Sequence, residues 1–420
     1  MNALIAGARQ TLVSHPSWAR RLLGALGFLY LMPVAFQGLP GYTTRWVGGL
    51  GVLFLPWLIR SYCRGMWFRW FVFLFVTLVL YLTALYWATG SQDYRVFKDI
   101  VLIGIQLFPG ALLLAFVLSA LKEDFDFFLD ILFWGMVFYG SSIVMAALWV
   151  EPREWFSQVT VNLSNIDDTS ARARGLLNAS GAGASSVIAL AFLAGWLRFN
   201  WSQLLREKLA RLVGFAILFS ACVVAGRTGL ILIGITVTAF AGCYLIERKA
   251  GGVGVLLIVG GGSCFGLLVL YWIGLLDFRR LDDFYYLFSG RWDEGIWKAF
   301  SSFVLWPDSL AGVVWGNPST YELNRIPSDL GYIRLLWAIG GVGSAVFYFF
   351  IGAMIFLAFK GAQKKEHKLF VAALGFWVFF VHFKEPFLLD QRFLALVTLT
   401  FVVFTMRLDI SWKHHERAAR

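Results

Sequence analysis

FRWFVFLFVTLVLYLTALYWAT, residues 68 to 89, is a run of 22 residues in which Arg69 is the one charged side chain. As an α-helix rising 1.5 Å per residue it would be about 33 Å long, enough to cross the hydrocarbon core of a bilayer. No soluble fold gives such a segment a use outside a deep core, and similar segments recur along the chain. The composition agrees: 59% of the residues are hydrophobic and only 15% charged, with a mean hydropathy of +0.71. An ordinary globular domain carries roughly 25% charged residues and a disordered chain carries few aromatics, so 41 Phe, 19 Trp and 14 Tyr exclude both classes. The net charge of +11 is scattered between apolar runs and forms no single basic patch, which excludes a nucleic-acid-binding domain.

Working outward from residues 68 to 89, the hydropathy pattern predicts an all-α integral membrane protein, one polytopic domain over residues 1 to 420, with about twelve spans. They are residues 22 to 39, 46 to 60, 68 to 89, 99 to 120, 126 to 150, 179 to 197, 209 to 226, 228 to 246, 252 to 276, 331 to 358, 369 to 386 and 391 to 407. The second and last are short. The N-terminal segment, with Arg9, Arg20 and Arg21, lacks a cleavage signature and reads as a cytoplasmic tail. With both termini cytoplasmic, basic residues crowd the cytoplasmic segments, for example Arg60, Arg64 and Arg69, or Lys360, Lys364, Lys365 and Lys368. That density satisfies the positive-inside rule. Cys63, Cys222, Cys243 and Cys264 lie in or beside apolar runs without metal-ligand spacing, so neither a disulfide framework nor a structural zinc site is expected.

Two outer loops are long, residues 151 to 178 and 277 to 330, and long loops on a rigid scaffold are where function concentrates. In the second, Ile296, Trp297, Phe300, Phe303 and Val304 form the apolar stripe of a short amphipathic, interfacial helix. The anomaly is the set of arginines outside: Arg153, Arg172, Arg174, Arg227, Arg279, Arg280, Arg291, Arg325, Arg334 and Arg392. Guanidinium binds phosphate bidentately and never loses its charge, so the set fits a diphosphate clamp. The plainer reading is that each snorkels to lipid phosphate or pairs with Asp167, Asp168, Asp282 or Asp283. Arg227 stands apart, on the tight turn Ala225-Gly226-Arg227-Thr228-Gly229, at a helix N-terminus where unpaired N–H groups favour anions. Asn178, Ser180 and the small residues Gly181 to Ser186 open the sixth span in a similar way, for capping or simple close packing.

Five segments occur in order on that one side: Arg172-Ala173-Arg174-Gly175, Gly226-Arg227-Thr228-Gly229, Ser289-Gly290-Arg291-Trp292 with Ile296-Trp297, Ser328-Asp329-Leu330-Gly331-Tyr332-Ile333-Arg334, and Phe383-Lys384-Glu385-Pro386-Phe387. Residues 170 to 395, which contain them, resemble the O-antigen polymerase (Wzy-type) and O-antigen ligase superfamily. Arg172 to Gly183 and Arg279 to Gly290 also fit the R-x10-G spacing described for the polymerases. In a chain with 42 Gly such spacing carries little weight by itself.

The resemblance implies metal-independent glycosyl transfer at the periplasmic face of the bacterial inner membrane, within lipopolysaccharide biosynthesis. The donor is an undecaprenyl-diphosphate-linked oligosaccharide, no cofactor is involved, and a chain-length regulator protein is a possible partner. Ligases of the superfamily carry a histidine in the long loop before the tenth span. None of His15, His367, His382, His414 and His415 is there, which favours polymerase over ligase. The chemistry needs a base for the acceptor hydroxyl and neutralisation of the leaving diphosphate. Arg172, Arg227 and Arg291 are the expected clamp, with Arg174, Arg279 and Arg334 as second choices. Asp329 is the expected base, or else the N-cap of the tenth helix, with Glu322 and Glu385 behind it. Tyr332 and Arg334 would orient sugar or diphosphate, and Trp292, Trp297, Trp306, Trp315 and Tyr321 offer faces for sugar stacking, although interfacial aromatic belts explain tryptophan as well.

Rival readings are weaker. A metal-dependent glycosyltransferase would want carboxylates in an early outer loop. Asp124-Phe125-Asp126 has a D-x-D pattern but falls on the cytoplasmic side, where it reads as a solvated turn. A lipid-linked glycan flippase would need ionisable residues within its spans, which here are almost free of them apart from His382 and Lys384. A passive scaffold ranks third, and nucleotide-binding and protease signatures are absent.

Overall fold

The computed structural model describes residues 16–32, 34–37, 42–62, 65–91, 94–159, 182–199, 204–246, 306–307, 309–318, 331–382 and 391–418. Among the described residues the chain is all-α, with one isolated β-bridge between Ala35 and Tyr42. The helices are α1 Pro16–Leu31, α2 Thr43–Leu53, α3 Leu55–Tyr62, α4 Met66–Thr89, α5 Arg95–Leu102, α6 Phe108–Ala120, α7 Phe125–Leu148, α8 Val150–Val159, α9 Ala182–Leu197, α10 Leu205–Ala225, α11 Arg227–Ile246, α12 Leu310–Trp315, α13 Gly331–Gly361, α14 Lys365–His382 and α15 Gln391–Ala418. A π-helical turn, Ile103–Leu107, joins α5 to α6. Five helices among the described residues are long and apolar enough to cross a membrane: α4, the α5–α6 unit, α7, α10 and α13. Their outward faces fit lipid. On α4, Trp70, Phe73, Leu80 and Trp87 are all more than half exposed, a surface no soluble monomer presents.

Most spans expected from hydropathy correspond to a helix, with differences that have local causes. The second, residues 46 to 60, is two helices broken at Phe54 (φ −99°, ψ 0°). Pro56 has no N–H to give Val52, so it starts a new helix in the first turn of α3. The fourth begins earlier, at Arg95, and widens into the π turn just before Pro109, which has no N–H for Ile105. The buried Tyr30 hydroxyl donates to the Leu107 carbonyl at 2.8 Å, satisfying an oxygen in this irregular stretch. The helix of the fifth span ends at Leu148, and the first long loop opens with α8. Residues 252 to 276 and the amphipathic stripe from Ile296 to Val304 lie outside the described residues. The described helix of the second long loop is α12, capped by the Ser309 hydroxyl, which accepts from Gly312 N–H at 3.0 Å.

At the centre of the bundle is α9. From Gly183 to Trp196 every residue is buried, as befits a helix apolar all round and packed on α7, α10, α11 and α14. A second group places α13 against α4, α12, α14 and α15. Within α13 the backbone turns sharply at Gly340 (φ 68°, ψ 178°). The tight neighbour there is Gly316 (φ 78°), and a Cβ on Gly340 would fall 2.3 Å from the Trp315 carbonyl carbon. Carbonyls around the kink find donors outside the helix. Tyr81 Oη donates to Ile339 O at 2.8 Å, and Asn317 N–H donates to Trp337 O at 2.7 Å.

Gly340→Ala is therefore expected to destabilise the protein by at least about 2 kcal/mol, since it combines left-handed backbone with a backbone clash. Gly352, elsewhere in α13, has nothing within 4 Å of a built Cβ. Gly352→Ala should be neutral or gain up to about 1 kcal/mol of helix propensity. Thermal unfolding of the two variants in detergent checks the contrast.

Candidate functional site

The two ends of the bundle differ in chemistry. At one end the starts of α7 and α14 meet the end of α9 and the first turns of α10. Asp124 caps α7, its Oδ1 accepting from Phe125 N–H at 2.7 Å. Asp126 accepts from Arg198 at 3.0 Å and from Lys364 at 2.8 Å, and its other oxygen is 2.8 Å from His367 Nε2. Asp130, one turn on, accepts from Arg198 at 3.2 Å and from Arg211 at 2.7 Å. The Arg211 side chain is 8% exposed and lies over the rings of Phe133 and Trp134. Arg20 of α1 adds a pair with Glu123 at 2.9 Å.

This network corrects the reading of Asp124-Phe125-Asp126 as a solvated turn. The D-x-D pair is the anionic centre of a structural cluster, because Arg198, Lys364 and His367 reach it from parts of the chain distant in sequence. Ligand atoms of Asp124, Asp126 and His367 lie within 4.8 Å of one another, a spacing compatible with a metal ion. The Lys364 ammonium already contacts both carboxylates. Hydrogen bonds to Asp124 and then Asp126 hold that ammonium above its ordinary pKa, so it stays charged at neutral pH.

The opposite end holds the starts of α9, α11, α13 and α15, and the sequence-selected residues that fall in the described chain are there. A single residue, Gly226, links α10 to α11, and Arg227 is the first residue of α11. The description covers the backbone of Arg227 and not its side chain. Its helix start is held against α9 by the buried Ser185 hydroxyl, which accepts from Gly229 N–H at 3.1 Å. A Cβ on Gly229 would sit 2.4 Å from the Ser185 carbonyl oxygen, so the two helices approach as closely as backbone allows. Ser185 lay within the small-residue run Gly181 to Ser186, whose pattern signalled close packing without naming the partner helix.

Tyr332 and Arg334 occupy the first turn of α13 and are half-buried. The Tyr332 hydroxyl donates to the Phe379 carbonyl of α14 at 2.9 Å, and its ring meets His382 edge-on with centroids 4.7 Å apart. His382 is fully buried, its Nε2 3.2 Å from Tyr348 Oη. His382, one of the two ionisable residues the sequence places within the spans, thus belongs to an aromatic cluster that docks α13 on α14. Gln391 and Arg392 open α15, and Gln391 Oε1 is buried with no hydrogen-bond partner among the described residues. Gln391 carried no motif that would have drawn attention to it.

No family model, curated protein or solved structure matches the chain. Function must then be argued from the residues. Arg172, Arg174, Arg279, Arg291, Trp292 and Asp329 lie outside the described residues, as do Glu322, Lys384 and Glu385. What the structure places together is the frame: helix starts bearing Arg227, Tyr332, Arg334 and Arg392 share one end of the bundle, away from the Asp126 cluster.

Replacing Asp130 by Leu leaves Arg211 buried beside Phe133 without its counter-charge. The expected loss is about 2 to 3 kcal/mol, below the roughly 3 to 5 kcal/mol of a fully buried pair because Asp130 keeps partial access to water. The double variant Asp130→Leu/Arg211→Met should recover most of it, and thermal unfolding of the single and double variants decides. Gly229→Ala should cost at least about 2 kcal/mol by forcing α11 off α9, whereas Gly234→Ala, with open space around its Cβ position, should not.

Proposed function

We propose that this chain is a bacterial surface-polysaccharide polymerase of the O-antigen type, a twelve-span inner-membrane glycosyltransferase with both termini in the cytoplasm. It joins undecaprenyl-diphosphate-linked repeat units on the periplasmic face without a metal ion. The observation that carries the reading is the gathering of three arginine- or tyrosine-bearing helix starts, those of α11, α13 and α15, at the end of the bundle opposite the ion-pair cluster. Helix N-termini present unpaired N–H groups and a positive dipole end, so an anionic diphosphate is favoured there before any side chain is counted. The order of the five sequence segments along the chain supports the same assignment.

In this reading Arg227, Arg291 and Arg172 neutralise the diphosphate as it leaves the anomeric carbon, with Arg174, Arg279 and Arg334 in the surrounding shell. Asp329, just before α13, takes the proton of the acceptor hydroxyl. Tyr332 acts as a positioning residue, because its hydroxyl is engaged by the Phe379 carbonyl and its ring by His382. Trp292 supplies a flat face for a sugar ring.

The experiment is to incubate purified protein with undecaprenyl-diphosphate-linked repeat units in the presence of chelator and separate the products on a gel. A ladder of lengths is expected. Bound but unchanged substrate would overturn polymerisation and favour a flippase, and transfer only after adding a lipid A core acceptor would favour a ligase. Arg227→Ala and Arg291→Ala should each cut polymer formation roughly 100-fold or more while the protein stays folded in the membrane. Lysine at either position should rescue poorly, since a point charge cannot reproduce a bidentate fork. Asp329→Asn keeps the capacity to cap α13 and removes the base. Full activity in that variant would assign Asp329 to capping alone.

A further inference from the structure

Beside the ion-pair cluster, α1 and α7 run in parallel and leave an open groove of about 520 Å³ between them, whose lining includes Arg20, Arg21, Phe127, Asp130, Ile131 and Trp134. Its walls are apolar and its mouth is cationic. On α7, Phe127, Ile131, Trp134 and Phe138 follow one another at intervals of four, three and four residues, so they line one face of the helix. Trp134 and Phe138 are 41% and 59% exposed, which carries the apolar track out of the groove and along the helix.

The charges at the mouth do not cancel. Arg20 is balanced by Glu123 and stacks over Phe127 at 5.3 Å. The Asp130 carboxylate is held by both Arg198 and Arg211, so it does not repel an incoming anion. Arg21 is exposed, lines the groove, and has no hydrogen bond or ion pair among the described residues. Arg20 and Arg21 lie four and five residues into α1, and Asp130 five residues into α7. At 1.5 Å per residue these positions share a level about 6 to 8 Å from the helix ends.

We propose that this groove is a binding site for one anionic phospholipid, with the phosphodiester on Arg21 and Arg20 and an acyl chain laid along Ile131, Trp134 and Phe138. A cation beside an apolar furrow that runs toward the bilayer interior matches the two halves of such a molecule and no soluble anion. The proposal rests on the membrane-spanning character of the chain and is independent of the polymerase reading. Failure of one leaves the other standing.

The test is native mass spectrometry of the full-length protein released from micelles containing phosphatidylglycerol or phosphatidylcholine. Wild type should retain phosphatidylglycerol over phosphatidylcholine by about five-fold or more, the amount one well-placed arginine contributes near a membrane surface. Arg21→Gln should bring the ratio close to one. Gly24→Trp, which fills the groove, should lower retention of both lipids, with its folding checked by gel filtration. Arg206→Gln, an exposed arginine at the same end but away from the groove, should leave the ratio unchanged. Equal effects of Arg21→Gln and Arg206→Gln, or no effect of Arg21→Gln, would overturn the proposal in favour of diffuse attraction. A dimer that Gly24→Trp abolishes, without lipid discrimination, would assign the groove to a second copy of the chain and overturn it as well.

Discussion

A carboxylate in the first turns of an apolar helix must meet a cation or forfeit its charge, and Asp126 and Asp130 impose that requirement on the whole bundle. Asp126 draws in Arg198 from the end of α9, Lys364 from the turn before α14, and His367 from α14 itself. Asp130 draws in Arg198 again and Arg211 from α10. Four elements far apart in sequence are registered at one level by these contacts. The burial of Arg211 makes the loss of its Asp130 partner costly. Because α9 and α13 end at this level and α10 and α14 begin there, the starts of α9, α11, α13 and α15 fall at the opposite end.

Close backbone approach does at that opposite end what charge does at the first. Gly229 lies against Ser185, and Gly340 lies against Gly316, so helices meet through main chain with no side chain between. Apolar surroundings forbid unpaired polar backbone, and two of the irregular stretches receive a donor from elsewhere in the bundle. Tyr30 serves Leu107 beside the π turn, and Tyr81 serves Ile339 at the kink of α13. Both tyrosines reach from another helix, so the irregular segments are fixed by the bundle and hold α12 against α13 where the second long loop returns.

Those constraints give the proposed chemistry a rigid frame. The start of α11, which carries Arg227, cannot shift along α9 without breaking the Gly229–Ser185 hydrogen bond, and Tyr332 is tied to α14 through both its hydroxyl and its ring. A diphosphate clamp gains from such fixity, because donors already held in place need not be ordered as charge develops. The groove between α1 and α7 sits at the far end, so a lipid held there would bear on the stability of the charge cluster and not on the proposed transfer site.

The apolar runs alone determined that the chain is all-α and built to lie in a membrane. An uninterrupted run such as residues 68 to 89 satisfies its backbone in lipid only as a helix, whatever its neighbours. Proline positions were legible too, yet the break at Phe54 needed Pro56 to be weighed against hydropathy, and the π turn before Pro109 had no signature of its own. Arg227 was readable as a helix-start arginine from its turn, and the D-x-D pair was misread, because its partners come from residues up to 241 positions away. The buried contacts of Ser185, His382 and Tyr332 were equally hidden, since which helices neighbour which is set by packing shape and by pairing of charges across the bundle. Periodicity reports what one helix needs; only the tertiary structure decides which partner meets that need.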